Sequence, residues 1–246
     1  MAHVFTPEAR DRIARMPGEF SIEEGVTYLN AAAVGPLPDR TRQALTEFYA
    51  ENASAPWKVD GMIESARETC RTLGAQLMNA DPGDVTYGYS TSFGLSIAAG
   101  GLPLDSGDEV ILSDSDFPAN PYVWRALEQR GIKIKFARSV QGMFSIENAE
   151  RLITGRTKVI AVSFVQFFNG YKLPLVELAQ LAHSFDGYLV VDAIQGLGVE
   201  PLDFSGLEID VLSAGAQKWL LGPLGIGIVA ISSRARERMR PVARSW

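Results

Sequence analysis

Cysteine is almost absent from this sequence. Cys70 stands alone, so no disulfide can close within the chain, and such sparing use of thiols suits a reducing cytoplasm. Histidine is nearly as scarce: His3 lies near the start and His183 inside a helical pattern. Neither has a spaced partner, which argues against a histidine-rich metal site and against a Ser-His-Asp triad. Long apolar runs are missing too. The longest, 159–168, is broken by Ser163 and Gln166 and is far too short to span a bilayer. The opening residues have neither a basic n-region nor an apolar h-region, so no signal peptide is expected. There is no GxxxxGK[ST] phosphate loop, and Gly222, Gly225 and Gly227 come after Lys218 in the wrong order for a dinucleotide fingerprint. Base is outweighed by acid, for a net charge of −6, which disfavours nucleic acid and anionic membranes as partners. Arg234, Arg236, Arg238, Arg240 and Arg244 do gather near the end, and are expected to form one solvated helical face.

What is present is a globular composition, 46% hydrophobic and 21% charged, over 246 residues. The first twenty residues mix charge with helix formers and predict a short peripheral helix. Residues 28–38 read as a small-residue loop closed by prolines. Helical patterns follow over 39–57 and 60–79. The second sets Ile63, Ala66, Cys70, Leu73 and Leu77 at spacings of three and four, so that face, Cys70 included, is expected to pack. Strand patterns at 85–87, 109–112, 132–136, 157–163, 188–192, 210–213 and 226–231 interleave with helical ones at 91–102, 118–130 and 175–185. Gly107, Gly131 and Gly187 fall at the turns. This alternation predicts an α/β domain, a mostly parallel sheet with helices on both faces and ligands at the carboxyl ends of its strands. No repeat and no linker interrupts it.

The strand ends are therefore the places to look for chemistry. Val190-Val191-Asp192-Ala193-Ile194-Gln195 puts a carboxylate at the end of an apolar strand, where it needs a cationic partner. Ser213-Ala214-Gly215-Ala216-Gln217-Lys218-Trp219 sets a lysine among small and apolar residues, where desolvation favours the neutral, nucleophilic amine. Tyr89-Ser90-Thr91-Ser92-Phe93-Gly94 joins a strand to a helix and offers hydroxyls and free N–H groups to a phosphate. Asp114-Ser115-Asp116-Phe117 adds an aromatic face. A phosphate seat, an aromatic plate, a strand-end acid and a nucleophilic lysine together describe a site for pyridoxal 5′-phosphate (PLP). A nucleotide-binding dehydrogenase domain is the rival class, and the missing GxGxxG after the first strand counts against it.

From about Tyr28 to Ile231 the chain resembles the class V aminotransferases, a family of PLP-dependent fold type I enzymes that includes cysteine desulfurases and isopenicillin N epimerase-like proteins. The resemblance rests on Tyr28-Leu29-Asn30-Ala31-Ala32, on Asp192-Ala193-Ile194-Gln195, and on Gln217-Lys218-Trp219-Leu220 with Gly222-Pro223-Leu224-Gly225-Ile226-Gly227, where Lys218 follows Asp192 by 26 residues. It implies that Lys218 forms the Schiff base, that Asp192 partners the pyridinium nitrogen and that Gln195 donates to the ring's 3-oxygen. Thr91 and Ser92 fall on the phosphate-binding pair, Phe117 on the stacking position and Asn30 on the substrate-bordering loop. Gly215-Ala216-Gln217-Lys218 stands where desulfurases carry Ser-Gly-His-Lys, leaving Ser213 as a partial substitute for the serine, and Phe117 stands where many carry His.

The resemblance divides the chain into an N-terminal segment and substrate-bordering loop, 1–35, and a PLP-binding large domain, 36–246. The small C-terminal domain of the family, with its carboxylate-gripping arginine, is then missing beyond Arg244-Ser245-Trp246. Arg125 and Arg130 are the candidates left in this chain for that grip. The expected function is PLP chemistry on an amino acid, with transamination first. Desulfurase, lyase or epimerase chemistry comes next, and then a truncated PLP-fold protein without efficient catalysis. A homodimer meeting near the cofactor, through 30–38 and 222–227, is expected as well.

Overall fold

A run such as Thr157-Lys158-Val159-Ile160-Ala161-Val162-Ser163 has almost no polar face to turn toward water, so it settles where helices cover both sides of a sheet. The computed structural model, which describes residues 16–242, shows this arrangement. Seven strands, β1 (Val85–Gly88), β2 (Glu109–Ser113), β3 (Lys133–Ala137), β4 (Thr157–Ser163), β5 (Tyr188–Asp192), β6 (Val211–Gly215) and β7 (Gly227–Ile231), form one sheet in the order β1-β7-β6-β5-β4-β2-β3. From β3 across to β6 every pairing is parallel. Only β7 runs antiparallel, to both β6 and β1.

Successive strand residues serve opposite faces. Ile160, Val162, Leu189, Val191 and Leu212 enter one core with helix α6 (Leu175–His183) and the short α5 (Ile146–Glu150). Val159, Ala161, Val190 and Val211 enter a second core under α3 (Thr91–Gly101), α4 (Ala119–Arg125) and α7 (Ser233–Arg238). The expected helix over 118–130 is instead α4 followed by a 3-10 turn, Ala126–Arg130, closed by left-handed Gly131 (φ 82°). Most of the expected peripheral helix over the first twenty residues lies outside the described residues; Met16–Glu19 form a single 3-10 turn.

The chain reaches the sheet through two successive helices, α1 (Asp39–Ser54) and α2 (Val59–Leu77). Here one expectation is corrected. The stripe through Ala66, Cys70, Leu73 and Leu77 is exposed, and α2 buries only Gly74 and Ala75. The reason is steric: a Cβ on Gly74 would overlap Ile228, so α2 meets strand β7 closely along its smallest residues and its bulkier stripe faces away. The arginine cluster is solvated as expected at Arg236, Arg238 and Arg240, whereas Arg234 is half-buried, and three of the four are engaged in ion pairs. Arg234 Nη1 reaches Asp210 Oδ1 at 2.7 Å, Arg236 pairs with Asp84 and Arg238 with Asp186, tying α7 to the amino-terminal edge of the sheet. Arg244 lies outside the described residues. No helix among the described residues is long and apolar enough to cross a membrane.

Candidate functional site

The carboxyl ends of β1, β2, β4, β5 and β6 lie along one edge of the sheet, and a cavity of about 510 Å³ opens there. Its floor is Asp192, the last residue of β5. The carboxylate is buried and has one hydrogen bond among the described residues, to Oδ1 from the Ile194 N–H at 3.0 Å. Burial pushes its pKa up to about 7. The Ile194 N–H and Lys218 oppose that shift, and the neighbouring Asp116 carboxylate adds to it. A buried acid with one neutral donor and an oxygen to spare is suited to a cationic N–H group in the cavity.

Lys218 enters from the turn after β6, half-buried, with Nζ 5.8 Å from the centre of the Phe117 ring. Desolvation lowers its pKa, and Asp192 pulls the other way. Phe117 follows β2 and leans edge-on against Phe167, with ring centres 5.2 Å apart and planes at 76°.

The third wall is the start of α3. Ser90 caps it, its hydroxyl accepting the Phe93 N–H at 3.2 Å. The first-turn N–H groups have no carbonyl partner within the helix, so with the helix dipole they favour an anion. Ser90, Thr91 and Ser92 all line the cavity. Thr91 is also bolted to β6. Its Oγ1 accepts the Gly215 N–H at 2.8 Å, and the Ser213 hydroxyl donates to the Thr91 carbonyl oxygen at 3.0 Å. Glycine is required behind this contact, because a Cβ on Gly94 would overlap Ser213.

Of the residues expected at the site, Asn30, Thr91, Ser92, Phe117, Asp192, Gln195 and Lys218 line this one cavity. Ser213 does not: its hydroxyl is spent on Thr91, so it braces the helix start from behind instead of standing in for a phosphate-binding serine. Gln195 donates from Nε2 to the Ala32 carbonyl oxygen at 3.0 Å, which brings loop 30–35 over the cavity. Arg125 pairs with Glu128, and Arg130 donates to the Leu104 carbonyl oxygen; neither lines the cavity.

Sequence reasoning passed over Asp116. Its carboxylate turns inward, accepting the Ser163 N–H at 3.3 Å and the Asn120 side-chain amide at 2.8 Å, and desolvation lifts its pKa to about 6. It also passed over Phe167. Gln166, just before it, is buried and donates to the Ser115 hydroxyl instead of lining the cavity. No cluster of potential metal ligands occurs among the described residues.

The seat therefore offers an anion-favouring helix start, an aromatic face, an acid short of a partner and a half-desolvated amine. That set of donors fits a flat, phosphorylated pyridine aldehyde. Comparison with known proteins agrees in outline. The profile of the family described as Aminotransferase class-V matches residues 27–245. An uncharacterized aminotransferase of Bacillus subtilis is 28% identical over 89% of this chain and 59% of its own. The mitochondrial cysteine desulfurase of Drosophila melanogaster is 28% identical over 96% of this chain and 53% of its own. The isopenicillin N epimerase of Streptomyces clavuligerus is 27% identical over 93% and 59%. Among solved structures, the Escherichia coli cysteine desulfurase CsdA superposes with a TM-score of 0.85 at 26% identity, covering 99% of this chain and 62% of that one. The chain thus spans less than two thirds of the length of each of these proteins.

Proposed function

Because the chain belongs to the class V aminotransferase family, whose cofactor is PLP, we propose that it forms the cofactor-holding part of an enzyme acting on an amino acid, with Lys218 as the covalent anchor. The observation that carries this reading is the single cavity joining the Lys218 amine, the under-partnered Asp192 carboxylate and the start of α3. Bound there, PLP supplies an electron sink for the bonds at the substrate's α-carbon.

The residues divide the remaining work. Thr91 and Ser92 would hold the phosphate with hydroxyl and N–H groups, and Ser213 would steady Thr91 from behind. Asp192 would accept the pyridine N–H and keep that proton in place, while Phe117 would lie against the ring. Gln195 would donate to the 3-oxygen, and Asn30 would border the substrate. Lys218 Nζ, whose neutral form desolvation favours, would hold the aldehyde carbon covalently with loss of its oxygen as water and, once displaced by the substrate amine, would carry a proton to or from the α-carbon.

The reaction we assign first is transamination. Desulfurase, lyase or epimerase chemistry is the second reading, favoured by the names of the relatives. We take 1–35 as the N-terminal segment with the substrate-bordering loop and 36–246 as the large domain, in a cytoplasmic homodimer meeting near the cofactor. The carboxylate of the substrate needs a guanidinium, which we place outside this cavity, in the rest of a family-length protein or in a second copy.

Protein purified with PLP should be yellow, and borohydride should bleach it and leave a pyridoxyl mass on the Lys218 peptide. A Lys218→Ala variant holding PLP in the same covalent, reducible form would overturn the assignment. Release of a 2-oxo acid, of sulfide or of an epimerised amino acid from a substrate panel distinguishes the reactions.

A further inference from the structure

We infer that Trp219 is a positioning residue whose indole N–H decides which edge of the Gln195 side-chain amide faces the cofactor cavity. A glutamine amide can turn over and exchange its oxygen for its nitrogen at little intrinsic cost, but an indole N–H only donates. Trp219 Nε1 donates to Gln195 Oε1 at 3.1 Å, and Gln195 Nε2 donates to the Ala32 carbonyl oxygen at 3.0 Å. Both partners demand the same orientation. Turned over, the amide would set its N–H against the indole N–H and its oxygen against a carbonyl oxygen. With Oε1 and one N–H engaged, the second N–H remains for the cavity that Gln195 lines. The locked amide thus offers a donor, never an acceptor, to whatever binds there.

Trp219 is held in place from two sides. Gly198, at φ 100°, lies so close that a Cβ on it would come within 2.7 Å of the Trp219 carbonyl oxygen. Gly35 N donates to the Gln217 carbonyl oxygen at 2.7 Å, and a Cβ on Gly35 would overlap the Lys218 carbonyl. Loop 30–35, Gln195 and the lysine turn are therefore tied together, with Trp219 at the centre. The matching ligand chemistry is an oxygen acceptor on a flat ring, which rests on the PLP reading above.

The test uses the PLP-loaded 246-residue chain and compares wild type with Trp219→Phe, Trp219→His and Gln195→Glu. The readouts are the absorbance maximum of the bound cofactor and its Kd. Phenylalanine keeps the ring but removes the donor, freeing the amide to turn. Kd should rise about tenfold, as for one lost hydrogen bond to a charged acceptor, and the band should move. Neutral histidine restores an N–H and should recover most of both, whereas a purely structural role predicts no such recovery. Gln195→Glu keeps the acceptor for Trp219 but removes both N–H groups, and should shift the band even if Trp219→Phe folds poorly. An unchanged band and Kd in Trp219→Phe or in Gln195→Glu would overturn the inference, as would a histidine variant no better than phenylalanine. A wild type that binds no PLP would instead sink the cofactor reading itself.

Discussion

Residues 39–77 and residues 157–231 treat their apolar side chains in opposite ways. In the sheet, strands β4 to β6 bury consecutive residues on both faces, so nothing outside the chain is needed to keep them dry. In α2 the helical periodicity is just as clear, yet it buries only Gly74 and Ala75; α1 buries no residue, and Trp57 (77% exposed), between the two helices, and Leu73 (57%) face out. Hydrophobic pattern alone does not separate the two cases. Periodicity reports that an element has an apolar face, and the distribution of small residues reports which face meets the rest of the chain. On α2 the close contact falls on Gly74 and Ala75, next to the larger stripe and not on it.

Three measurements would break or sharpen this contrast. The largest effect is expected in the sheet: Ile160→Ala should cost about 2–5 kcal/mol in denaturant unfolding, because neighbours on both sides prevent collapse of the cavity. A loss below about 1 kcal/mol would show that the sheet is less closely packed than it looks. Next comes the cost of the site that the sheet carries. The Asp192 pKa is raised from 3.8 to about 7 on folding, so the folded protein binds its proton more tightly than the unfolded chain. Stability of the PLP-free protein should therefore be highest below about pH 4 as far as this group is concerned, and should fall as pH rises to about 7, by a few kcal/mol at most. Asp116, raised to about 6, acts in the same direction. Asp192→Asn should flatten the slope, and a slope unchanged in that variant would refute the account. The smallest effect is expected on the helix pair. Leu73→Ala should alter unfolding by less than about 0.5 kcal/mol in dilute protein. A larger loss that depends on protein concentration would show that a second copy covers the stripe, and the contrast with the sheet would then hold only for a single chain.

The fold was largely legible in the sequence for a physical reason. Strands covered on both faces read as short, nearly unbroken apolar runs between turn residues, and β4 and β5 match their sequence patterns end to end. Helix α5 went unread because five residues are too few to display a period. The site was legible where chemistry and chain position coincide, at a strand-end acid, at a lysine among small residues and at a hydroxyl-rich helix start. It was not legible where a side chain's role depends on a distant partner. Asp116 looks no different from exposed Asp114 until the Ser163 N–H turns it inward. The Ser213 hydroxyl looks available until it is found on Thr91, and Trp219 looks like filler until its N–H is found on Gln195.

The antiparallel strand β7 bears on how the molecule comes into being. Among the described residues strand β1 has no other neighbour in the sheet, so the strand that leads into the anion-favouring helix start has no ladder to join until residues 227–231 have left the ribosome. The lysine turn lies just before those residues, between β6 and β7. The strand before one half of the cofactor seat and the turn that carries the other half are thus pinned by one late, long-range event, after the parallel centre of the sheet can already have formed. Such closures are slow, because chain entropy is lost before the contact repays it. A nascent chain should acquire its core before its cofactor seat is fully braced, and synthesis interrupted before residue 227 should leave the helix start held to β6 through Thr91 but β1 unpaired.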